Sequence, residues 1–380
     1  MRDIGVYEEG LEIMHPKGGF QVIRLSEMDI RGANILKQEM LAAGGEAAIS
    51  HHAVDFSEEN TDVLVMGTRK QLDRVIGKLK LQPFQCKDAA ESIEHVQENL
   101  DRRWKVPCGR YELDCADRTA IMGIINMTPD SFSGDGITGV EQGLERAIEM
   151  VEAGADILDI GGESTRPGSE SVAPEDEIER VMPVIHAVKD QLDVPISLDS
   201  YKPEVVEKCL EAEVEVINDI FGGRDEKVLD LVADHGAGIV LMHMQGEPKN
   251  MQENPVYGNV VNEAYHFLWV QANKALDKGI HREKIIIDPG IGFGKTVEHN
   301  LELVHHLKDF RSMGFPVLIG HSRKSFIGKV LDLPRDQRVE GTVSIAGLAS
   351  WNGADIVRVH DVEAVKRGVY AVDAVKRLRM

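Results

Sequence analysis

Short apolar runs alternate with amphipathic helical patterns over the last two thirds of the chain. In Leu158–Gly168, apolar residues carrying one acid lead into a glycine pair and then into Glu, Ser, Thr and Arg. An apolar strand followed by a polar loop is typical of parallel sheets covered on both faces, whose chemistry lies beyond the carboxyl ends of the strands. The same pattern predicts strands at Ile121–Met127, Ile157–Gly161, Pro195–Asp199, Val214–Ile220, Gly238–His243, Lys284–Pro289, Pro316–Gly320 and Asp355–His360.

Helical patterns separate these strands. Val140–Val151 has one apolar face and is closed by Gly154, Ile178–Leu192 has another, and Pro203 opens a third helix at its first turn. Eight alternating units over roughly 260 residues predict a (β/α)₈ TIM barrel in residues 110–380. A doubly wound open sheet is the alternative, but it would not usually need eight units of this regularity.

Residues 1–100 predict a separate small α/β domain of unknown role. Strands are predicted at Gln21–Leu25 and Asp62–Gly67, with a helix over Asp29–Ala43 that ends at a glycine pair. The His51-His52 pair is a metal candidate, but a solvated loop pair is favoured because no acid or cysteine is patterned around it.

The segment 101–109 is mostly polar, contains Pro and Gly, and is predicted to be a linker. Tyr111–Leu113 and Thr119–Met122 flank a short polar turn and predict a hairpin that plugs the bottom of the barrel.

Composition excludes several classes of function. Among 380 residues, 43 are basic and 64 acidic, and the net charge of -21 argues against a nucleic-acid or anionic membrane surface. No apolar run is long enough to span a bilayer, and no signal peptide is visible. The four cysteines are scattered, as expected for reduced thiols in a cytoplasmic protein.

Polar side chains stand at or just beyond the end of every predicted strand. Any one of them has a structural interpretation, such as a helix cap or a satisfied loop. Together they place carboxamides, acids and cations on one rim, which predicts a pocket for a flat, hydrogen-bonding ligand and an anion. The candidates are Asn126, Asp159, Thr165, Arg166, Asp199, Asn218, Asp219, Asp288, Lys324, Ser325, Arg358 and His360.

The residue types indicate the chemistry of this ligand. Carboxylates such as Asp199 and Asp288 can accept two parallel N–H bonds from a ring, and Asn218 can both donate and accept. Lys324 can donate to a ring carbonyl or nitrogen. Asn126 is a hard oxygen ligand suited to magnesium, which with Arg358 and His360 would hold a phosphate or diphosphate.

Eight motifs in this region resemble those of the dihydropteroate synthase family: GIINMTPDSFS, DIGGESTRPG, SLDSYKPEV, INDI, LMHMQG, IIDPGIGFGK, SRKS and RVHDV. The resemblance covers residues from about 110 to 380 and includes every predicted strand. It implies a transferase of folate biosynthesis that joins 6-hydroxymethyl-7,8-dihydropterin diphosphate to p-aminobenzoate, releases diphosphate and requires Mg²⁺. It also suggests a homodimer.

The resemblance implies roles for most of these candidates. Asn126 would be the magnesium ligand and, with Lys324, Arg358 and His360, would serve catalysis. The pterin ring would be held by Asp199, Asn218, Asp288 and Lys324. The diphosphate region would be contacted by Thr165, Arg358 and His360, and the aminobenzoate site would be formed by Ser325 and the loops around Phe132 and Arg166. In the implied dissociative mechanism, diphosphate leaves before the neutral aryl amine attacks.

Two other functions fit parts of the pattern. Methyltetrahydrofolate:corrinoid methyltransferases share the pterin-binding barrel but need no diphosphate clamp, so Lys324 and the Arg358/His360 pair favour the synthase. A non-catalytic pterin-binding protein would not need Asn126 as a metal ligand. The N-terminal region is absent from the minimal family, and a packing or dimerisation module is favoured over a second active site.

Overall fold

The computed structural model describes residues 1–128, 139–164, 169 and 171–378, and the chain divides into two compact units, Met1–Asp101 and Arg102–Met380. Each unit has its own hydrophobic core. No helix in the described ranges combines the length and apolar character needed to cross a membrane. The four cysteines are free thiols, and all are buried.

The N-terminal unit is a three-stranded antiparallel sheet in the order β1-β3-β2, packed against helices. Its elements are α1 (Glu8–Met14), β1 (Phe20–Asp29), α2 (Ile30–Ala43), β2 (Glu46–Ile49), β3 (Asn60–Thr68), α3 (Arg69–Leu79) and α4 (Cys86–Asp101). The sequence pattern missed β2, because its EAAI segment carries two alanines and little β-strand signal. In this unit His52 interacts with Ser57 and Glu58, and the described residues contain no cluster of His, Cys, Asp or Glu suited to a metal.

The second unit contains the predicted barrel. Its strands are β6 (Ala120–Asn126), β7 (Ile157–Gly161), β8 (Ile196–Asp199), β9 (Val216–Asp219), β10 (Gly238–Met242), β11 (Ile285–Asp288), β12 (Leu318–Ile319) and β13 (Ile356–Val359). They are parallel in the order β11-β10-β9-β8-β7-β6-β13-β12, and an Ile287–Val317 bridge joins the two ends. This closure confirms the (β/α)₈ barrel and contradicts an open doubly wound sheet.

Helices surround the barrel. They are α5 (Val140–Ala153), α6 (Pro174–Gln191), α7 (Pro203–Glu211), α8 (Glu226–His235), α9 (Val260–Asp277), α10 (Val297–His305), α11 (Leu307–Phe310), α12 (Ser325–Leu331), α13 (Val339–Trp351) and α14 (Val362–Arg377). Alternate strand residues pack against them: Ile196 and Leu198 of β8 belong to the same core cluster as Val184 of α6. Ser197 and Asp199, which alternate with these two residues, therefore point to the barrel interior.

The bottom of the barrel is closed by a hairpin, but its strands pair differently from the prediction: Tyr111–Leu113 pairs with an earlier segment, and Thr119–Met122 leads into β6. The hairpin pairs β4 (Lys105–Cys108) with β5 (Tyr111–Asp114), so the second half of the expected linker is a strand. Trp104, Val106 and Cys108 alternate with exposed or half-buried residues and pack against the lower interior layer of the barrel. Because the buried residues alternate with polar ones over a short stretch, the segment as a whole is polar in composition and is predicted to be a linker.

Candidate active site

The strand registers bring the predicted residues to one end of the barrel. Asn126 lies opposite Gly161, Gly161 opposite Asp199, and Asp199 opposite Asn218 on successive strands. Asp288 ends β11 opposite Met242. Because all these strands are parallel, their last residues form a single mouth.

A buried ion network fills the barrel interior below this mouth. The guanidinium of Arg358 donates from Nε to Asp159 Oδ2 at 2.5 Å and from Nη2 to Asp199 Oδ2 at 2.6 Å. Asn218 Nδ2 donates to the same Asp159 oxygen at 3.0 Å. Burial opposes the charge of Arg358, but the two carboxylates outweigh it and raise its pKa. Arg358 thus connects strands β7, β8 and β13 through side chains.

Two carboxylate oxygens in this network have acceptor capacity left over. Within the described part of the chain, Asp159 Oδ1 and Asp199 Oδ1 are buried and accept no hydrogen bond. Burial raises the pKa of Asp199 to about 7, with Arg358 acting in the opposite direction. A buried carboxylate oxygen without a hydrogen bond destabilises the protein, and a ligand N–H group that donates to it would remove this penalty.

Lys324 approaches the mouth from the other side. Its ammonium donates to the Ile291 carbonyl and lies 4.1 Å from the centroid of the Phe293 ring. Burial lowers the pKa of Lys324 to about 7, and Asp288 acts in the opposite direction. Gly292 has φ 83°, and a Cβ there would lie 2.6 Å from Lys324 Cδ, so only glycine leaves room for this lysine.

Asp288 is buried beside a second lysine, Lys295, which is not among the candidates predicted from the sequence. Its Oδ1 accepts from the backbone N–H of Gly290 at 2.7 Å, and burial raises its pKa. Lys295 Nζ is held by His243 Nδ1 at 3.0 Å and by the Phe293 carbonyl at 2.9 Å. Burial lowers the pKa of Lys295 well below its usual range. This lysine anchors the loop that carries Phe293 against β10.

The remaining predicted residues lie around the rim. His360 Nδ1 is 2.9 Å from Ser322 Oγ, and Asn126 is partly buried at the end of β6. Ser325 is exposed at the first position of α12. Thr165, Arg166 and Phe132, predicted to contact diphosphate or aminobenzoate, lie outside the described residues.

Asp159 is the most important residue that the site prediction left without a role. It is fully buried and holds both Arg358 and Asn218. The signal was visible as the single acid in an apolar strand, since a buried carboxylate needs a cation or donors. Its partner could not be identified from sequence, because Asp159 and Arg358 are 199 positions apart.

Comparisons with known proteins agree with this geometry. Residues 122–360 match the family described as pterin binding enzyme. A dihydropteroate synthase of Synechocystis sp. is 45% identical over 275 residues, covering 72% of this chain and 95% of the relative. A solved Xanthomonas albilineans dihydropteroate synthase, with 4-aminobenzoic acid, is 41% identical with a TM-score of 0.68, covering 72% of this chain and 99% of that one.

A third relative extends further. The probable bifunctional folylpolyglutamate synthase/dihydropteroate synthase of Haloferax volcanii is 37% identical over 343 residues, covering 87% of this chain and 40% of that protein. The second unit, Arg102–Met380, is shorter than this match, so the similarity extends into the N-terminal unit.

The closed barrel and its polar mouth define a pterin-binding enzyme, and the chain belongs to that family. Its function is that of a dihydropteroate synthase, a transferase of folate biosynthesis.

Proposed function

We propose that the barrel mouth binds 6-hydroxymethyl-7,8-dihydropterin diphosphate and p-aminobenzoate and releases dihydropteroate and diphosphate. The observation that carries this proposal is Asp199, whose Oδ2 is held by Arg358 while its buried Oδ1 has no donor among the described residues. A pterin ring offers a ring N–H beside an exocyclic amine, which fits such an acceptor. The Xanthomonas relative solved with 4-aminobenzoic acid supports the second substrate.

In this proposal Asp199, Asn218, Asp288 and Lys324 hold the pterin ring. Asp288 presents one oxygen to Gly290 and lies beside Gly320, where no side chain narrows the mouth. Thr165, Arg358 and His360 contact the diphosphate region, and Ser325 and Arg166 contact the aminobenzoate. Arg358 enters this arrangement already bound to two carboxylates, so it orients them as well as providing positive charge near the leaving group.

One residue of the barrel mouth, Asn126, is suited to bind magnesium. Asn126 has an amide oxygen at the end of β6, and the described residues contain no carboxylate cluster that would form a complete metal cage. Mg²⁺ commonly takes few protein ligands and keeps waters and substrate phosphate oxygens. Bound there through Asn126, it would neutralise charge on the diphosphate.

The protein's own groups then act mainly by position and charge. The carboxylates and Lys324 fix the ring, so that its methylene carbon faces the amine when the bond to diphosphate breaks. His360 and Arg358 lie on the side where negative charge accumulates on the leaving group. An aryl amine is already neutral at pH 7 and needs no strong general base, so ring positioning and leaving-group stabilisation carry the reaction.

The test is a diphosphate-release assay on the full chain with pterin diphosphate. We expect the protein to release diphosphate only when both p-aminobenzoate and Mg²⁺ are present. We also expect a sulfonamide to inhibit this release. Pterin binding without release would indicate a non-catalytic binding protein. Transfer of a methyl group from methyltetrahydrofolate to a corrinoid protein would indicate a methyltransferase instead.

We further propose a homodimer formed through α10, α12 and α13. Large apolar side chains are exposed on these neighbouring helices: Leu301, Val330, Leu331, Leu348 and Trp351. Such a patch fits a second copy of the same surface in a two-fold interface.

Leu348→Glu is expected to convert the dimer to a monomer in sedimentation velocity, because it places a charge within this apolar patch. Val140→Glu, which changes a 40% exposed valine of α5, a barrel helix outside this patch, is the control and should leave the dimer intact. A wild-type monomer, or a Leu348→Glu dimer of unchanged affinity, would contradict this interface.

For residues 1–100 we propose a separate packing or dimerisation module in a protein that acts in the cytoplasm, joined to the barrel unit by a short linker. Support comes from its own buried core, which includes Leu36, Val65 and Leu72. A chain beginning at Arg102 is expected to unfold cooperatively on heating and to retain diphosphate release. An insoluble or inactive truncation would show that the N-terminal module is integral to the enzyme.

A further inference from the structure

The inward-facing residues of the barrel change from apolar to polar between two successive levels. Ile157 of β7, Val216 of β9 and Ile356 of β13 belong to the apolar cluster at the bottom of the barrel. Because strand side chains alternate, the next inward positions lie two residues further along each strand. These positions hold an acid, a carboxamide and a cation: Asp159, Asn218 and Arg358. The three side chains therefore form one polar level directly above the apolar floor.

One oxygen of Asp159 holds both of the other side chains. The Asp159 side chain is 0% exposed, and its Oδ2 accepts from Arg358 Nε at 2.5 Å and from Asn218 Nδ2 at 3.0 Å. Arg358 continues to Asp199 Oδ2 at 2.6 Å, and Asp199 lies opposite Asn218 in the register of β8 and β9. A single buried acceptor thus fixes Asn218 directly and Asp199 through Arg358.

The contact with Asp159 also decides which end of the Asn218 amide is available to a ligand. A carboxylate paired with a guanidinium is only an acceptor, so the amide must direct its nitrogen toward it. Reversing the amide would place Oδ1 against the Asp159 oxygen, which is a repulsive contact between two acceptors. Asn218 Oδ1 is therefore the end that faces away from Asp159, where it can accept an N–H of the ring.

We propose that Asp159 is a positioning residue for the pterin, a shared acceptor that orients Asn218 and Arg358 before the ring binds. This inference rests on the proposed function, in which Asn218 and Asp199 hold the ring and Arg358 lies at the diphosphate region. The role depends on the acceptor oxygen of Asp159 as well as on its charge, which by itself would only balance the guanidinium. Side chains that are oriented in advance lose little freedom when the ligand binds.

The test compares Asp159→Leu with Asp159→Asn in the full chain, by calorimetric titration with 6-hydroxymethylpterin. Both variants remove the same charge and have the same branched shape, but only asparagine keeps an oxygen that can accept from Asn218 and Arg358. Asp159→Leu is expected to have a pterin Kd about tenfold above that of Asp159→Asn, because two side chains must then be ordered on binding. Since both variants lose the charge, the ratio of their Kd values reports the acceptor.

Asp355→Asn is the matched control for a buried ion pair. Asp355 also accepts from an arginine, Arg311 Nη1 at 2.8 Å, and its side chain is also buried, but it precedes β13 at the opposite end of the barrel. This substitution should leave the pterin Kd within about twofold of wild type, whatever its effect on the unfolding temperature. A contact that only stabilised the fold would behave like this control.

Two further variants carry the test if Asp159→Leu does not fold. Asp159→Ala removes the acceptor without adding bulk and should also bind pterin more weakly than Asp159→Asn. Asn218→Asp keeps the size of the side chain and an oxygen for the ligand, but it puts a second carboxylate where Nδ2 lies 3.0 Å from Asp159. Repulsion should turn this side chain away and raise the pterin Kd about tenfold or more.

Equal pterin Kd values for Asp159→Asn and the variants without an acceptor would overturn the positioning role, because only the charge would then matter. A wild-type Kd in Asn218→Asp would overturn it as well. Failure of the proposed function itself is distinguished by the wild-type protein, which would then bind no 6-hydroxymethylpterin in the same titration.

Discussion

Asp199→Asn is expected to weaken pterin binding and to lower kcat/KM for the pterin substrate by about 100-fold or more. The change removes the charge that Arg358 Nη2 contacts at 2.6 Å and leaves the guanidinium with Asp159 as its remaining carboxylate partner in the network. A hydrogen bond to a charged acceptor contributes about 1.5–3 kcal/mol, and each 1.4 kcal/mol corresponds to about tenfold in affinity. The ring N–H donors would also lose an ionised acceptor.

The measurement is calorimetric titration with 6-hydroxymethylpterin, followed by diphosphate release under saturating p-aminobenzoate. Asp193→Asn is the matched control, because its carboxylate also pairs with an arginine, Arg110, but its side chain is 87% exposed. The control should bind pterin as wild type does, since exposed pairs contribute little. A pterin Kd for Asp199→Asn within about threefold of wild type would exclude Asp199 from ring recognition.

Lys324→Ala should raise the pterin Kd by about 10- to 150-fold. A hydrogen bond from a charged donor to a buried acceptor contributes about 1.5–3 kcal/mol, and alanine leaves the ring acceptor without it. The free protein pre-positions this ammonium against the Phe293 ring and the Ile291 carbonyl, so little ordering is required on binding.

Lys329→Ala, a substitution of an exposed lysine on α12, the helix that directly follows Lys324, separates loss of local charge from loss of a ring contact. It should leave pterin affinity unchanged. Calorimetry showing the same pterin Kd for Lys324→Ala and wild type would assign the lysine a different role.

Much of the candidate site could be predicted from local patterns. Asp199 and Asp288 each end a short apolar strand, and parallel strands of one barrel bring their ends to the same mouth. The same reasoning failed for the hairpin at the barrel bottom. There Trp104 and Val106 are buried against residues from seven strands of the barrel, and no local period reports such contacts.

The buried ion networks could not be predicted from local sequence patterns either. Lys202 and Glu163 each have a polar interpretation within their own loops, but together with Glu177 they form a buried triad. Lys295 is polar in sequence and almost completely buried in the fold, because His243 and two carbonyls surround its ammonium. Burial of a charge is decided by the partners that long-range contacts supply.

The amino-acid sequence alone determined the repeated strand–helix pattern, the barrel, the polar strand ends and the family, because hydrophobic periodicity and short motifs are local properties of the chain. Only the tertiary structure decided that Asp159 and Asp199 share Arg358, that Lys324 rests on the Phe293 loop, and that Lys202 links two loops. These pairings join residues far apart in the chain, and their geometry depends on how the closed sheet orients each side chain toward the interior.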